Sequence, residues 1–304
     1  MPNAERVHGL MWLILYVANI AVAEVYFGNV LQNEDPLQVL VVTVGVANLL
    51  FWLTQAKHLQ SWWQRIVKQW RWVFLLNLTG VLSWGGFVLS LKWLEPAVVG
   101  VATNGVEPLL MVLLASRLRA ERPVLRAEYV TAIGTSVGMS FLIWVSLTGK
   151  SAVGTLGSQA VVLGFVWSLV GGLGNVGSIM ISKKLADNGW TPPQILSTRF
   201  WMIWFLAIVL KPGALNPQIL LSPVFLQMAW VSVATLVLPL YFAQMGIRRS
   251  EPVTVAFICT LIPLFALVFQ AWDPRLVYAP LSMVGVALCV GCLVYGVGAR
   301  LRTT

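Results

Sequence analysis

The chain has 304 residues, of which 58% are hydrophobic and 10% are charged, and its formal net charge is +9. This much apolar surface cannot be hidden in one globular core, so the composition excludes an ordinary soluble protein and favours a chain buried in a lipid bilayer. In such a chain the positive charge indicates which loops face the cytoplasm, rather than a nucleic-acid partner.

Ten segments are long and apolar enough to cross the hydrocarbon layer as helices of about 20 residues. The connections between them are mostly short, which predicts antiparallel neighbours in a compact bundle. The sequence therefore predicts an all-α membrane protein with ten transmembrane helices. In chain order the spans are residues 9–31, 36–56, 72–92, 97–117, 127–148, 158–182, 193–211, 224–247, 252–271 and 277–299.

The spans divide into two copies of a five-helix unit, residues 1–150 and 151–304. Two motifs return about 156 residues later: Pro36-Leu37-Gln38-Val39-Leu40 as Pro192-Pro193-Gln194-Ile195-Leu196, and Glu95-Pro96 as Glu251-Pro252. Because each copy crosses the membrane an odd number of times, the second copy enters it in the opposite orientation. Such an inverted repeat is typical of alternating-access carriers, whose substrate site lies between the halves.

The first span also resembles a secretory signal peptide, because Ala21-Val22-Ala23 imitates a cleavage site. Cleavage would remove the partner of the helix near Trp167 and would break the repeat. We therefore expect the first span to be kept as a transmembrane helix.

Lysine and arginine residues predict the orientation. With a cytoplasmic N-terminus, fifteen of them lie on the inner side and four on the outer side, and cations accumulate on the inner side of membrane proteins. We therefore expect both termini in the cytoplasm of a bacterial inner membrane. The inner set is Arg6, Lys57, Arg65, Lys68, Arg71, Arg117, Arg119, Arg122, Arg126, Lys183, Lys184, Arg248, Arg249, Arg300 and Arg302; the outer set is Lys92, Lys150, Lys211 and Arg275.

Basic residues alternate with tryptophans between Lys57 and Trp72. Such a loop is typical of the lipid headgroup layer, where indoles settle and lysine meets anionic lipid. The pattern favours the bilayer over nucleic acid as the partner of this segment.

Three ionisable residues fall within the spans: Glu24, Glu107 and Arg199. Charge at this depth costs about 2.5–3.5 kcal/mol on insertion scales, so these groups are expected to face a cavity or a partner. Glu24 shares a helical face with Tyr16, Ile20 and Phe27. We interpret Glu24 as a ligand for a substrate ammonium group, a proton-coupling residue, or both, and a static contact with Arg199 is the structural alternative.

Arg199 is expected either to extend to the membrane surface or to hold a substrate carboxylate. Glu107 precedes Pro108, and Pro263 is the corresponding residue of the second half. Both prolines predict helix breaks, and the first would open a polar notch beside Asn104 and Glu107. A packing kink is the alternative at each proline.

Amide and aromatic residues inside the spans are further candidates for the wall of the substrate site: Asn77, Trp84, Trp167, Asn175 and Gln244. Any one of them is more typical of helix packing. The glycines at 134 and 138 and between 171 and 177 predict close helix contacts. No metal or cofactor is expected, because the spans lack clustered ligands and the three cysteines fit buried apolar positions.

Two stretches carry a family resemblance. One runs from Ser90 through Glu95-Pro96, Pro108 and Glu121-Arg122-Pro123 to Gly138, and the other from Ala243 through Glu251-Pro252, Pro263 and Asp273-Pro274 to Gly285. Their order resembles the drug/metabolite transporter superfamily in its ten-helix EamA-type branch. The resemblance implies an exporter of small metabolites, often amino acids or amphipathic drugs. The second copy has Asp273-Pro274 where the first has Glu121-Arg122-Pro123, so the two gates are expected to differ.

The sequence thus predicts a secondary active transporter, and not an enzyme, that exports amino acids or amphipathic drug-like compounds by alternating access. Proton coupling through Glu24 is a hypothesis. Nucleotide sugars or phosphate esters are the alternative cargo, although Arg199 alone supplies cationic charge at depth. A channel and a lipid-modifying membrane enzyme are further alternatives. His8 and His58 lie outside the spans, which argues against an intramembrane serine protease that needs a histidine at membrane depth. Monomer and homodimer both stay open.

Overall fold

The computed structural model describes residues 3–113, 126–155, 157–250, 255, 258–273 and 276–301. Within these residues the chain is helical and contains no β-strand. Seven helical segments of the described part are long and apolar enough to cross a membrane, and two shorter apolar helices, Pro96–Val106 and Pro280–Gly296, accompany them. The expectation of an all-helical chain is confirmed, and its apolar helices are compatible with a multi-pass membrane protein.

The helices follow one another with short connections. The first seven are α1 (Asn3–Val30), α2 (Pro36–Gln55), α3 (Leu59–Lys68), α4 (Trp70–Leu91), α5 (Pro96–Leu113), α6 (Arg126–Leu147) and α7 (Ser158–Asp187). The others are α8 (Pro192–Arg199), α9 (Trp201–Leu210), α10 (Pro217–Leu220), α11 (Pro223–Ser232), α12 (Leu238–Arg249), α13 (Ile262–Gln270) and α14 (Pro280–Leu301).

The repeated proline motif marks a helix start in both copies. At α2, the Asp35 carboxylate accepts hydrogen bonds from the backbone N–H groups of Leu37 (2.9 Å) and Gln38 (3.3 Å). At α8, Thr191 and Gln194 form a reciprocal capping box. The proline that follows each cap has no N–H to leave unpaired in the first turn. The motif therefore sets where each of these helices begins.

The connections gather at two opposite ends of the helices. At the Asp35 end, the contacts are Gln32 Nε2 to the Lys92 carbonyl (3.5 Å), Lys211 to Asp35 (2.9 Å), Asn29 to Asp273 (3.2 Å) and the Val277 N–H to the Ala152 carbonyl (3.0 Å). At the Gly189 end, they are Arg65 to the Gly189 carbonyl (2.9 Å), Asn188 to Gln69 (3.3 Å) and Lys183 to the Arg248 carbonyl (3.3 Å). Successive long segments therefore run antiparallel.

The tryptophan-rich segment is a helix, α3, rather than the predicted loop. Its buried residues, Trp62 and Ile66, are four positions apart and so share one helical face. They pack against Trp190 and Ile195 at the start of α8. The loop interpretation was wrong because the burial of Trp62 and Ile66 against Trp190 and Ile195 suffices to anchor a short amphipathic helix. Hydropathy alone does not reveal such a helix.

Glycines bring the central helices together. A Cβ on Gly86 of α4 would overlap the backbone of Gly171 in α7, and one on Gly172 would overlap the backbone oxygen of Thr103 in α5. On the other side, Gly134 of α6 faces Cys292 of α14. Both glycine-rich faces therefore pack within the chain, where small residues let helix backbones approach.

Candidate functional site

A narrow cavity of about 60 Å³ lies among the central helices. This is smaller than small-molecule sites, which hold roughly 300–1,000 Å³, so in this conformation the cavity has room for only a few water molecules. Residues of both halves of the chain contribute to it. The described residues that line it are Tyr16, Ile20 and Glu24 of α1; Ser83, Trp84 and Phe87 of α4; Thr103 and Asn104 of α5; Asn175 of α7; Arg199 of α8; Leu240 of α12; and Ile262 of α13.

Three polar atoms on the wall of this cavity have no hydrogen-bond partner among the described residues. They are Oε2 of Glu24, Oγ1 of Thr103 and Nε of Arg199, and they come from three different helices. Glu24 is 4% exposed and Arg199 is 5% exposed. Buried polar atoms are nearly always paired in folded proteins. Their convergence on one cavity indicates a site that binds a polar ligand or water.

Glu24 and Arg199 do not neutralise each other. The salt bridges among the described residues, Lys183–Asp187 and Lys211–Asp35, include neither of them. The guanidinium of Arg199 instead lies over the ring of Phe200, 5.5 Å from its centroid. The alternative of a static Glu24–Arg199 pair is therefore absent from this conformation of the described residues, and both charged groups stay open to a ligand.

Arg199 lies at an interruption in a membrane-spanning segment. Helix α8 ends at Arg199 and α9 begins at Trp201, because Phe200 between them has φ −118° and ψ 12°. Gly80 of α4 lies against this point, where a Cβ would be only 2.9 Å from the Arg199 carbonyl oxygen. Sequence reasoning missed this interruption, since neither proline nor glycine marks it.

Side chains from other helices satisfy the backbone at the interruption. Asn77 of α4 donates to the Thr198 carbonyl (2.6 Å) and accepts from the Met202 N–H (3.1 Å). Asn48 of α2 donates to the Phe200 carbonyl (3.4 Å). Unpaired backbone groups are costly inside a membrane, so these amides make the interruption tolerable. Asn77 thus positions Arg199 from outside the cavity.

Aromatic rings form the apolar part of the wall. Trp84 packs edge-to-face against Phe87, with centroids 5.4 Å apart, and against Phe200 at 6.0 Å. Edge-to-face packing holds rings in fixed orientations. A ligand would therefore meet a rigid aromatic surface next to charged groups.

Two further segments near the cavity are irregular. Residues Val233–Val237, between α11 and α12, form a widened π-helical turn just before Leu240. Residues 260 and 261 form a turn, and Pro263 lies in the first turn of α13 after it. A Cβ on Gly100 would lie 3.2 Å from the Pro263 ring and 3.4 Å from Glu24 Oε2. The turn before Pro263 is thus close to the buried carboxyl.

The structure places the other described candidates for the site away from the cavity wall. Gln244 donates to Ser182 (3.2 Å) and is buried, and Trp167 meets Gly86 through its backbone oxygen. Like Asn77, these two are not among the described residues that line the cavity. Trp167 therefore has a packing contact that accounts for it, whereas the buried amide oxygen of Gln244 has no hydrogen-bond partner among the described residues.

Several predicted residues lie outside what the structure describes. Helix α5 extends past position 108 to Leu113, but the side chains of Glu107 and Pro108 are not in the described part. Glu251-Pro252, Glu121-Arg122-Pro123 and Pro274 also lie outside the described residues. The proposed roles of Glu107 and Pro108 stay predictions.

Thr103 and Phe87 are wall residues that sequence reasoning missed, and so are Ser83, Leu240 and Ile262. The position of Thr103 directly before the predicted site residue Asn104 was a weak indication that Thr103 also lines the site. Among the described residues, no group of three histidine, cysteine, aspartate or glutamate side chains could hold a metal ion.

A second buried carboxyl, Glu95, lies at the Asp35 end between α4 and α5 and is 1% exposed. Burial raises the pKa of Glu95, and the nearby polar groups of Ser282, Ala152 and Gln270 oppose part of that rise. This carboxyl is therefore an expected source of pH dependence away from the cavity.

Comparison with solved structures shows that the fold of this chain occurs in other proteins. One crystal structure superposes on 96% of this chain and on 97% of its own chain with a TM-score of 0.61. It shares 17% sequence identity, so the similarity concerns the fold alone. Eighteen solved chains match. No family model and no curated protein matches the sequence.

Proposed function

We propose that the protein is a secondary active transporter that moves small metabolites across the membrane by alternating access. The observation that carries the proposal is the buried cavity where Glu24, Thr103 and Arg199 each present an unpartnered polar atom. Carriers place such sites near the midplane, between two halves and beside interrupted helices. The interruption at Phe200 fits that description.

We propose that ten helices cross the membrane as two inverted repeats. The pattern of helix packing supports this, because the contacts occur in pairs related by exchange of the halves. Exchange of the halves converts the contact between α4 and α7 into the contact between α12 and α1. It likewise converts the contact between α5 and α7 into the contact between α13 and α1. The same exchange leaves three other contacts unchanged, namely those of α6 with α14, α5 with α13 and α2 with α9. A two-fold relation between the halves would produce this pattern.

The proposed membrane is a bacterial inner membrane with both termini in the cytoplasm. The distribution of charge supports it, since cations accumulate on the cytoplasmic side. In the described residues, the Gly189 end carries Lys57, Arg65, Lys68, Arg71, Lys183, Lys184, Arg248 and Arg249, and the Asp35 end carries Lys92, Lys150 and Lys211.

The proposed cargo is an amino acid or a cationic amphipathic compound. Glu24 would bind an ammonium group, Arg199 would bind a carboxylate, and Trp84 and Phe87 would contact apolar parts. Phosphate esters are the alternative cargo, but Arg199 is the single cation among the described residues that line the cavity. A doubly charged phosphate would therefore lack sufficient counter-charge.

Counterflow in liposomes tests the function. Vesicles loaded with unlabelled amino acid should accumulate the labelled compound faster than empty vesicles, because a carrier returns faster when it is occupied. Cationic drugs and phosphate esters should be tested in parallel at two pH values. Equal uptake by loaded and empty vesicles would indicate a channel, and no cargo-dependent flux in any class would reject the transporter.

Glu24→Gln tests the site within that assay. We expect at least a tenfold loss of counterflow with normal amounts of folded protein, because the neutral amide cannot bind an ammonium group through charge. Glu34→Gln, at the Asp35 end and outside the cavity, is the matched control and should transport normally. Wild-type counterflow in Glu24→Gln would exclude Glu24 as a ligand. If Glu24→Gln keeps the rate of counterflow but removes its dependence on pH, Glu24 is assigned to proton coupling.

A further inference from the structure

An open cup at the Gly189 end combines positive charge with tryptophan. It lies where α3 ends and α4 begins, beside the turn that follows α7. Its lining residues are Lys68, Gln69, Trp70, Arg71, Trp72 and Asn188. Asn188 donates to Gln69 across the cup (3.3 Å), which ties the two sides together.

Within the part of the chain that the structure describes, no carboxylate pairs with the cations of the cup. Among the described residues, neither Lys68 nor Arg71 takes part in a salt bridge. The nearest acidic residue in sequence to Asn188 is Asp187, and Lys183 already binds it at 3.2 Å. Arg71 lies over the ring of Trp70, 5.7 Å from its centroid. The cup therefore offers a net positive charge to an anion.

An exposed apolar surface adjoins this charge. Trp63 and Val67 of α3 are 55% and 57% exposed, and Trp70 and Phe74 of α4 are 59% and 51% exposed, with the members of each pair four positions apart. Helix α2 has 20 residues and so spans about 30 Å, the thickness of the hydrocarbon layer. Helix α3, which follows α2, therefore lies at headgroup depth, with its apolar side chains toward the acyl chains.

We propose that this cup binds the headgroup of an acidic phospholipid. Lys68 and Arg71 would contact the lipid phosphate, and the exposed face of Trp63, Val67, Trp70 and Phe74 would contact the acyl chains. Charge complementarity selects an anion, and the adjoining apolar face selects a lipid rather than a soluble phosphate. Indole rings and basic side chains are the groups that membrane proteins place at this depth.

The cup rests on well-packed helices, so it exists before a lipid binds. Trp62 of α3 packs edge-to-face on Trp201 of α9, with centroids 5.8 Å apart, and Arg65 donates to the Gly189 carbonyl (2.9 Å). A ligand that binds only this folded arrangement raises the stability of the whole protein. Thermal unfolding therefore reports binding, and no transport assay is needed.

The test uses the full-length protein in phosphatidylcholine nanodiscs with increasing phosphatidylglycerol. We expect the wild-type unfolding temperature to rise with phosphatidylglycerol. In the double variant Lys68→Gln/Arg71→Gln, the apparent affinity for this lipid should fall roughly thirty-fold, as expected for two cations lost near an anionic surface. The matched control is Lys92→Gln/Lys150→Gln at the Asp35 end, where Lys150 lies over Trp144 at 5.4 Å just as Arg71 lies over Trp70.

Retained phosphatidylglycerol affinity in the first double variant would overturn the proposal, as would an equal loss in the control. An equal rise with inorganic phosphate in detergent would overturn the lipid assignment. If the first double variant does not fold, Arg71→Gln provides the same test, because the exposed Arg71 side chain makes no hydrogen bond among the described residues. These outcomes are independent of whether the protein transports anything.

Discussion

Replacing Asn77 with leucine should destabilise the protein at the point that positions Arg199. Leucine is similar in size but cannot pair with the Thr198 carbonyl and the Met202 N–H, which Asn77 contacts at 2.6 and 3.1 Å. Side-chain hydrogen bonds inside membrane proteins contribute about 0.6 kcal/mol on average and up to about 1.7 kcal/mol. Loss of these two bonds between helices therefore predicts about 1–3 kcal/mol, and the bond that Asn77 also donates to the Val73 carbonyl (2.9 Å) within α4 is lost with them.

The assay is thermal unfolding followed by tryptophan fluorescence, together with hydrogen exchange. A loss of this size should lower the unfolding temperature by several degrees. The Met202 amide should also exchange faster. Asn19→Leu is the control, because Asn19 is half-buried in α1 and makes no hydrogen bond among the described residues. An Asn77→Leu variant with the stability of this control and unchanged exchange at Met202 would refute the reasoning.

Two further changes test other parts of the structure. Burial raises the pKa of Glu95 above the usual 4.5, so the folded state binds more protons than the unfolded state above that value, and stability should decrease as the pH rises through the folded pKa. Glu95→Gln should flatten this decrease in pH-dependent unfolding curves, whereas Glu34→Gln should not. Gly172→Val should lower stability by about 1–3 kcal/mol or prevent folding, because its side chain would overlap the Thr103 backbone. Gly291→Val, at an exposed helical position with open space around it, should have little effect.

Hydropathy predicted the long apolar helices well, because it is a local signal. The spans predicted to begin at residues 36 and 193 correspond to helix starts at Pro36 and Pro192. Helix α3 escaped prediction since only two of its residues, Trp62 and Ile66, are buried. Local composition alone cannot distinguish such a short amphipathic helix from a loop.

The cavity was only partly predictable. A charged residue inside an apolar span is a strong signal, and Glu24 and Arg199 both line the cavity. The role of Asn77 could not be foreseen, because its partners Thr198 and Met202 are more than 120 residues away in the sequence. Buried amides look alike in a sequence, whether they face a ligand or pair with the backbone.

In the described part of the chain, three interruptions near the cavity lie in residues 151–304: at Phe200, at Val233–Val237 and at residues 260–261. By contrast, α1, α2 and α4 of the first half run without a break. An interrupted helix can bend at the interruption at smaller energetic cost than an intact helix. For the proposed transporter we therefore expect unequal movement, with the C-terminal half rearranging around an N-terminal half that stays nearly rigid.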